Sequence, residues 1–305
     1  MKSRLLRCLS PFAIVALVAF QLAVGARPAA AAAGAVIADV VVPFGDDGTL
    51  WPVGIASSVA FDGKYLYYTE YIGPILHRID VPPPGAPTEA TNKIDMPIIG
   101  MHAGVMSLAY DRGRDMFWAI GGDGLSVYLL SKTGVGTLMF TINATADRPG
   151  YQPTTYPTET KLAYDRTDDT IWYSPDANAR VFHYQTFADM FGTAQLAAAT
   201  PFVDVSVPPN SMSPQCDYSI VSGVAVGGDH LFLDIAGCPY YFEYSKTGTK
   251  IGAFPLAGTS AGDIECDNLS YGVSVLWVKD AWAGHIRAYE QPAAGACTFG
   301  GGNAP

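Results

Sequence analysis

The stretch KLAYDRTDDTIWYSPDANARVFHYQ, Lys161 to Gln185, decides how the rest of the chain is read. A short run of small and apolar residues ends at Asp165, and after a turn comes TIWYS, rich in aromatics. A polar loop with Asp176, Asn178 and Arg180 follows, then the alternating run RVFHYQ. Period-two alternation with aromatic and β-branched residues predicts three strands joined by tight turns.

The pattern recurs four more times: SVAFDGKYLYYTEYIGPILHRIDV from Ser58, SLAYDRGRDMFWAIGGDGLSVYLLSKTG from Ser107, GVAVGGDHLFLDIAGCPYYFEYSKTG from Gly223 and DIECDNLSYGVSVLWVKDAWAGHIRAYEQ from Asp263. The anchor positions are Asp62, Asp111, Asp165, Gly227 (where the acid is lost) and Asp267, separated by 49, 54, 62 and 40 residues. A short fourth strand completes most units: NKIDMPI, GTLMFTI, AQLAAATPFVDV and KIGAFPL. Units of roughly 40 to 50 residues with four antiparallel strands predict the blades of a β-propeller. The fifth unit has no fourth strand after Tyr289, while VIADVVVPF, Val36 to Phe44, belongs to no blade. The N-terminal strand is therefore expected to complete the last blade and close the ring, which removes exposed sheet edges. The predicted fold class is all-β: a single propeller, five four-stranded blades, with a sixth requiring four strands that the pattern does not show.

The first 33 residues read differently. MKSRLLR is cationic, PFAIVALVAFQLAV is apolar but short for a bilayer span, and small residues follow up to Ala33. This predicts a signal peptide of bacterial type over 1–33 and a propeller domain over 34–305, secreted or periplasmic. No second long apolar segment appears, so no membrane span is expected, and the domain is expected to be a monomer. Cys216, Cys238, Cys266 and Cys297 make an even set suited to disulfides in an exported chain. Their places on the blades predict Cys216–Cys238 and Cys266–Cys297. The net charge is -10 with no basic cluster in the mature chain, which argues against nucleic acid as a partner.

At the level of blade pattern, YYTEYIGPILHRI (Tyr67 to Ile79) resembles the repeat of streptogramin-lyase-like (virginiamycin B lyase-like) propellers. Asp176, Asn178, Arg180 and Val181 resemble the Asp…Asn-x-Arg-Val loop of NHL repeats, one residue shorter. The resemblance implies a propeller fold on which lyases, lactonases, peptide-binding sensors and plain scaffolds all occur. It implies a His, a Glu and a divalent metal for a lyase, and Glu, Asn and Asp ligands on inner strands for a lactonase. No matching motif places the lyase pair here. For the lactonase set, Glu265 and Asp267 could contribute, but inner-strand asparagines are missing.

An acid after the second strand recurs as Glu70, Asp123, Asp176, Asp234 and Asp280. A ring of carboxylates could gather a cation, but an Asp that opens a tight loop also holds the turn by accepting backbone N–H bonds. Recurrence in every blade favours the construction role. Departures from the repeat are more informative, above all in the loops that lead into the innermost strands. These offer Trp51, His102, Tyr156 and Tyr218, which with Trp282 form the expected ligand-binding set. His102, between Gly100 and Gly104, is the most distinctive titratable group. The predicted function is a ligand- or protein-binding scaffold for a small molecule, glycan or peptide at the channel mouth, with no cofactor. The rival is a metal-assisted lyase or lactone hydrolase using His102 with Asp263 or Glu265 and a divalent ion.

Overall fold

The computed structural model of the protein describes residues 34–43, 56–143, 160–175, 178–258, 261–280, 283–292 and 296–297. Every regular element among them is a strand, and the strands build five antiparallel sheets arranged as a five-bladed β-propeller. Contacts separate the chain into residues 1–32 and 33–305, and the first unit lies outside the described residues.

Strand β1 (Val36–Val41) belongs to the last blade. Blade 1 runs β2 (Ala56–Phe61), β3 (Tyr65–Glu70), β4 (Ile75–Asp80) and, after the two-residue β5 (Thr88–Glu89), β6 (Ile94–Pro97). Blade 2 is β7 (Val105–Asp111), β8 (Met116–Gly121), β9 (Ser126–Ser131) and β10 (Gly136–Thr141). Blade 3 is β11 (Lys161–Asp165), β12 (Thr170–Ser174) and the long β13 (Arg180–Ala188). Its outer edge is split between β14 (Ala194–Leu196) and β15 (Phe202–Asp204), which pair with different parts of β13. Blade 4 is β16 (Gly223–Gly227), β17 (His230–Asp234), β18 (Tyr240–Ser245) and β19 (Lys250–Pro255). Blade 5 is β20 (Ala261–Asp267), β21 (Val275–Asp280) and β22 (His285–Glu290), completed by β1.

Ring closure is reinforced from outside. The connection between β4 and β6 crosses to β1, where β5 pairs with it in parallel and Gly85 N–H donates to the Ile37 carbonyl. Chain from the first blade thereby covers the outer edge of the last, satisfying backbone groups that would otherwise form an open edge.

The sheets are buried on both faces, and the core is five interlayers between neighbouring blades. Alternation along each inner strand divides the work. Val59 faces the blade 5 side with Trp277 and Ile286, while Ala60 faces the blade 2 side with Leu108 and Phe117. Trp118, Trp172 and Trp277 stand at equivalent places on second strands and are fully buried. Truncating such a ring to alanine costs about 3–5 kcal/mol.

The inner strands run from an upper face, where the loops enter them, to a lower face, where those of blades 1, 2, 3 and 5 end at or just before an aspartate. The lower-face acids hold their turns. Asp111 Oδ1 accepts from the N–H groups of Gly113 and Arg114, while Oδ2 accepts from Trp118 Nε1 at 3.2 Å. Asp267 repeats this with Leu269, Ser270 and Trp277, and Asp165 with Thr167 and Trp172. In blade 1 the Tyr67 hydroxyl replaces the indole on Asp62. Blade 4 loses both halves together: Gly227 stands for the acid and Phe232, with no donor, for the aromatic. The reason is steric. A Cβ on Gly227 would lie 2.5 Å from the Ala296 carbonyl oxygen and 2.7 Å from Cys266 Sγ. The C-terminal segment and its disulfide occupy the space an aspartate would need.

Disulfides link Cys216 to Cys238 and Cys266 to Cys297, with Cα–Cα distances of 5.9 and 5.3 Å. No helix of the described residues is long and apolar enough to cross a membrane.

Candidate functional site

Aligning the inner strands on their terminal aspartates shows what lines the channel. Two residues above that position stand Ala60, Ala109, Ala163, Ala225 and then Glu265. Four residues above stand Ser58, Ser107, Lys161, Gly223 and Asp263. Blades 1 and 2 thus fill the upper layer with hydroxyls, and blades 3 and 5 fill it with opposite charges. In blade 4 the missing side chain makes room for a neighbour, since a Cβ on Gly223 would lie 2.6 Å from both carboxylate oxygens of Asp234.

The layer is narrow enough to be bonded across. Asp263 Oδ2 accepts from the Val59 N–H in blade 1 and from Ser107 Oγ in blade 2, each at 3.3 Å. Ser107 Oγ accepts in turn from the Leu162 N–H in blade 3. Lys161 Nζ donates to the Met106 carbonyl at 3.1 Å. Asp263 is fully buried, and its Oδ1 takes no hydrogen bond from a described residue.

Lys279 joins the cluster from β21, as the cross-strand partner of Asp263. Among the described residues its ammonium group donates to the Asp280 and Ala283 carbonyls, each at 3.4 Å. Six charged groups therefore lie buried at the upper end of the channel: Lys161, Lys279, Glu70, Asp234, Asp263 and Asp280. Burial raises the Asp263 pKa well above the usual carboxylate range, against the pull of Lys161 and with a further push from Asp234. Burial lowers the Lys279 pKa to about 8, although Asp280 and Glu70 oppose the shift. Perturbed titrations of this kind cluster at binding and catalytic sites, though structural ion networks produce them too.

The recurring acids after the second strands divide into two kinds. Asp123 holds its loop, accepting from the N–H groups of Leu125 and Ser126 and from Ser126 Oγ. Asp280 accepts from the Ala283 N–H and from Arg287. Asn178 Oδ1 accepts from the Arg180 N–H, and Arg180 pairs with Asp204 at 3.3 Å. That loop is turn construction as far as it is described; Asp176 lies outside the described residues. Glu70 and Asp234 instead act electrostatically on the channel groups, Glu70 on Lys279 and Asp234 on Asp263.

The three titratable candidates fall at three levels. His102 is exposed on an upper loop, its N–H donating to the Tyr128 hydroxyl at 3.3 Å. The backbone beside it is unusual, with Ala103 at φ 61°, a conformation that costs a non-glycine residue about 1 kcal/mol. Asp263 lies in the upper channel layer, and Glu265 two residues lower lines a cavity on the opposite face. Among the described residues no hydrogen bond or ion pair joins His102 to either acid. Tyr218 is exposed on the upper loop of blade 4 and fixed there, its hydroxyl donating to the Ala236 carbonyl at 2.6 Å beside the Cys216–Cys238 bridge. Trp51, Tyr156 and Trp282 lie outside the described residues. The two buried lysines had no place among the candidates, yet the repeat itself carries the signal. Lys161 stands where blades 1 and 2 have serine, and Glu265 where the other four have alanine.

Asp165, Asp168 and His183 also bring ligand-type atoms within 4.8 Å of one another on the lower side of blade 3. Those atoms already serve the protein. Asp165 Oδ2 binds Lys246 at 2.6 Å, and the two His183 nitrogens meet the Thr170 hydroxyl and the Thr200 carbonyl. The ring also stacks on Trp172 at 4.0 Å. His77 and His285 likewise pair with fourth-strand acids, Asp95 and Asp39, each at 2.7 Å.

No protein-family model matches the chain, and no curated protein does. Solved structures do resemble it. Glutaminyl cyclase from Myxococcus xanthus is similar at 9% identity over 83% of this chain and 97% of that one, with a TM-score of 0.52. A structural genomics protein of unknown function from Bacteroides thetaiotaomicron is 14% identical over 84% and 75% of the two chains, TM-score 0.47. Virginiamycin B lyase from Staphylococcus aureus is 12% identical over 79% and 68%, TM-score 0.41. What these likenesses share with the chain is the β-propeller fold.

Proposed function

We propose that the protein is an exported propeller that binds a polar ligand, a small molecule, glycan or peptide, at the upper mouth of its channel. One observation carries the reading: Lys161 and Asp263, both essentially inaccessible to solvent, occupy the channel layer where blades 1 and 2 have serine. Burying charge costs free energy that a serine layer would avoid, so a plain structural plug does not call for these residues. Above the layer, Tyr218 is anchored by its hydroxyl and His102 is exposed with its N–H held by the Tyr128 hydroxyl, which suits a preorganised rim. The paired cysteines and the cationic, apolar N-terminal segment support placement outside the cytoplasm.

The charge balance bears on the metal-assisted alternative. Lys161 and Lys279 already offset two of the four acids, and Arg287 approaches Asp280 at 3.4 Å. A divalent cation competes best where carboxylates are uncompensated. The open Oδ1 of Asp263 favours the lyase or lactonase reading as the second choice.

Thermal melting of the purified protein separates the two. Oligosaccharides, peptides and the ions calcium, magnesium, manganese and zinc are added one at a time after EDTA treatment. A bound ligand raises the melting temperature by linkage. The binding reading expects a saturable rise with an organic ligand, reduced in Asp263→Asn and Lys161→Met, and no response to ions. A rise with one ion that Asp263→Asn abolishes would instead support metal-assisted chemistry.

A further inference from the structure

Blade 3 departs from the repeat at its outer edge. The third strands of the other blades, β4, β9, β18 and β22, have six residues each, whereas β13 has nine. The extra length carries a hairpin, in which Ala188 of β13 pairs with Ala194 of β14. Both alanines pack against the apolar layer between blades 2 and 3. Phe187, next along the strand, therefore faces away and is 56% exposed. At the tip Met190 and Phe191 are 89% and 84% exposed. Among the described residues no other large apolar side chain exceeds 59%.

The tip is held in one shape. The N–H groups of Phe191 and Thr193 donate to Asp189 Oδ1 at 2.8 and 2.9 Å. The Gly192 N–H donates to the Asp189 carbonyl, and the Asp189 N–H to the Thr193 carbonyl. Blade 2 fixes the turn from the side, since the Thr141 N–H of β10 donates to the Gly192 carbonyl at 3.0 Å. A Cβ on Gly192 would meet nothing within 4 Å, so the turn stands in open space. From Thr186 to Leu196 the one formal charge is Asp189, and its carboxylate is bent back onto the turn amides.

These features select the partner. Phe187, Met190 and Phe191 together expose on the order of 400 Å² of side chain, about half of the roughly 800 Å² that a stable protein interface takes from each side. Lipid sets no such threshold, because binding grows with each apolar side chain that enters. Chain that enters lipid must satisfy its backbone donors internally, as this turn does for Asp189, Phe191, Gly192 and Thr193. The net charge of -10 and the lack of Lys or Arg on the hairpin give no attraction to anionic headgroups.

We propose that the β13–β14 hairpin docks the protein on a zwitterionic lipid surface, with Met190 and Phe191 entering the boundary between headgroups and acyl chains. The proposal is independent of the ligand-binding reading, since the hairpin lies at the outer edge of blade 3 and the channel groups lie on inner strands.

The test sediments the purified protein with phosphatidylcholine vesicles. The expected result is a bound fraction that rises with lipid and falls when phosphatidylglycerol is mixed in at low salt. The double variant Met190→Ser, Phe191→Ser should bind about tenfold less or weaker still. Both side chains are exposed, so it should melt like the parent. In a separate variant, Phe191→Trp, the emission added by the new indole should shift to the blue when vesicles are added. No sedimentation with lipid, a bound fraction kept by the double variant, or an unshifted indole would overturn the proposal. So would a parent dimer that the double variant dissociates, which would make a second copy the occupant.

Discussion

Asp263 and Asp267 lie four residues apart on one strand, and they are held in opposite ways. Asp267 gives one oxygen to two turn amides and the other to a buried indole at 2.9 Å. Asp263 meets one amide and one serine at 3.3 Å, and its second oxygen takes no bond from a described residue. The same contrast separates the two faces. Lower-face aspartates accept from the turn amides and the aromatic of their own blade, with a lysine of the next blade added on Asp62 and Asp165, so each is part of how the turn is made. The upper cluster draws on four blades and compensates charge with charge. A carboxylate that completes its own turn stabilises the fold, whereas a buried carboxylate facing lysines across a channel is kept at a cost.

The largest expected effect comes from removing a lower-face acid. Asp111→Ala strands two turn amides, an indole N–H and Arg114, and should lose about 4 kcal/mol in urea unfolding. A loss under about 1 kcal/mol would break the contrast. Gly227→Ala drives a methyl group against the Ala296 carbonyl and Cys266 Sγ. The expected cost is about 2–3 kcal/mol, and it should shrink when the C-terminal segment is released by Cys297→Ser.

On the upper side the sign reverses. The folded pKa of Lys279 is lowered to about 8, while the unfolded value is about 10.4. Between those limits the unfolded chain binds more protons, so this group's penalty is full below pH 8 and fades as the pH rises toward 10.4. Lys279→Met should therefore stabilise the protein by about 1–2 kcal/mol at pH 7, with the gain disappearing by pH 10. A destabilised variant at pH 7 would show that the lysine is structural. The smallest effect belongs to the partly exposed ion pairs between blades. Lys132→Met removes contacts to Asp62 and Asp115 of 2.8 and 2.6 Å, yet should cost under about 1 kcal/mol and less in high salt.

The architecture was legible because each blade repeats one physical solution: a small inner strand, an aspartate-held turn and an aromatic second strand. Even the orphan strand at Val36 could be assigned, since a ring with one open blade leaves an edge to fill. The split outer edge of blade 3 was harder, because AQLAAATPFVDV reads as one strand although β14 and β15 pair with separate parts of β13. The site was less legible for a related reason. His102 stands out locally as a histidine between glycines, while nothing beside Lys161 in KLAYD marks it, since a lysine beginning a strand reads as a solvated end. Its burial comes from four other blades meeting at the axis, a relation between distant segments that local pattern does not carry. The fold once known, aligning the strands on their aspartates makes Lys161, Asp263 and Glu265 stand out as the departures.

The most direct test compares the two acids of β20. Urea unfolding of Asp263→Asn and Asp267→Asn is followed from pH 5 to pH 8 beside the parent. Asp263 has a raised folded pKa, so above about pH 4 the folded chain holds the extra proton and ionisation increasingly opposes folding. The account predicts that Asp263→Asn is at least as stable as the parent, with an advantage that grows with pH, and that Asp267→Asn is less stable throughout. A large loss in Asp263→Asn matching that of Asp267→Asn would contradict it, and would make the upper layer part of the scaffold.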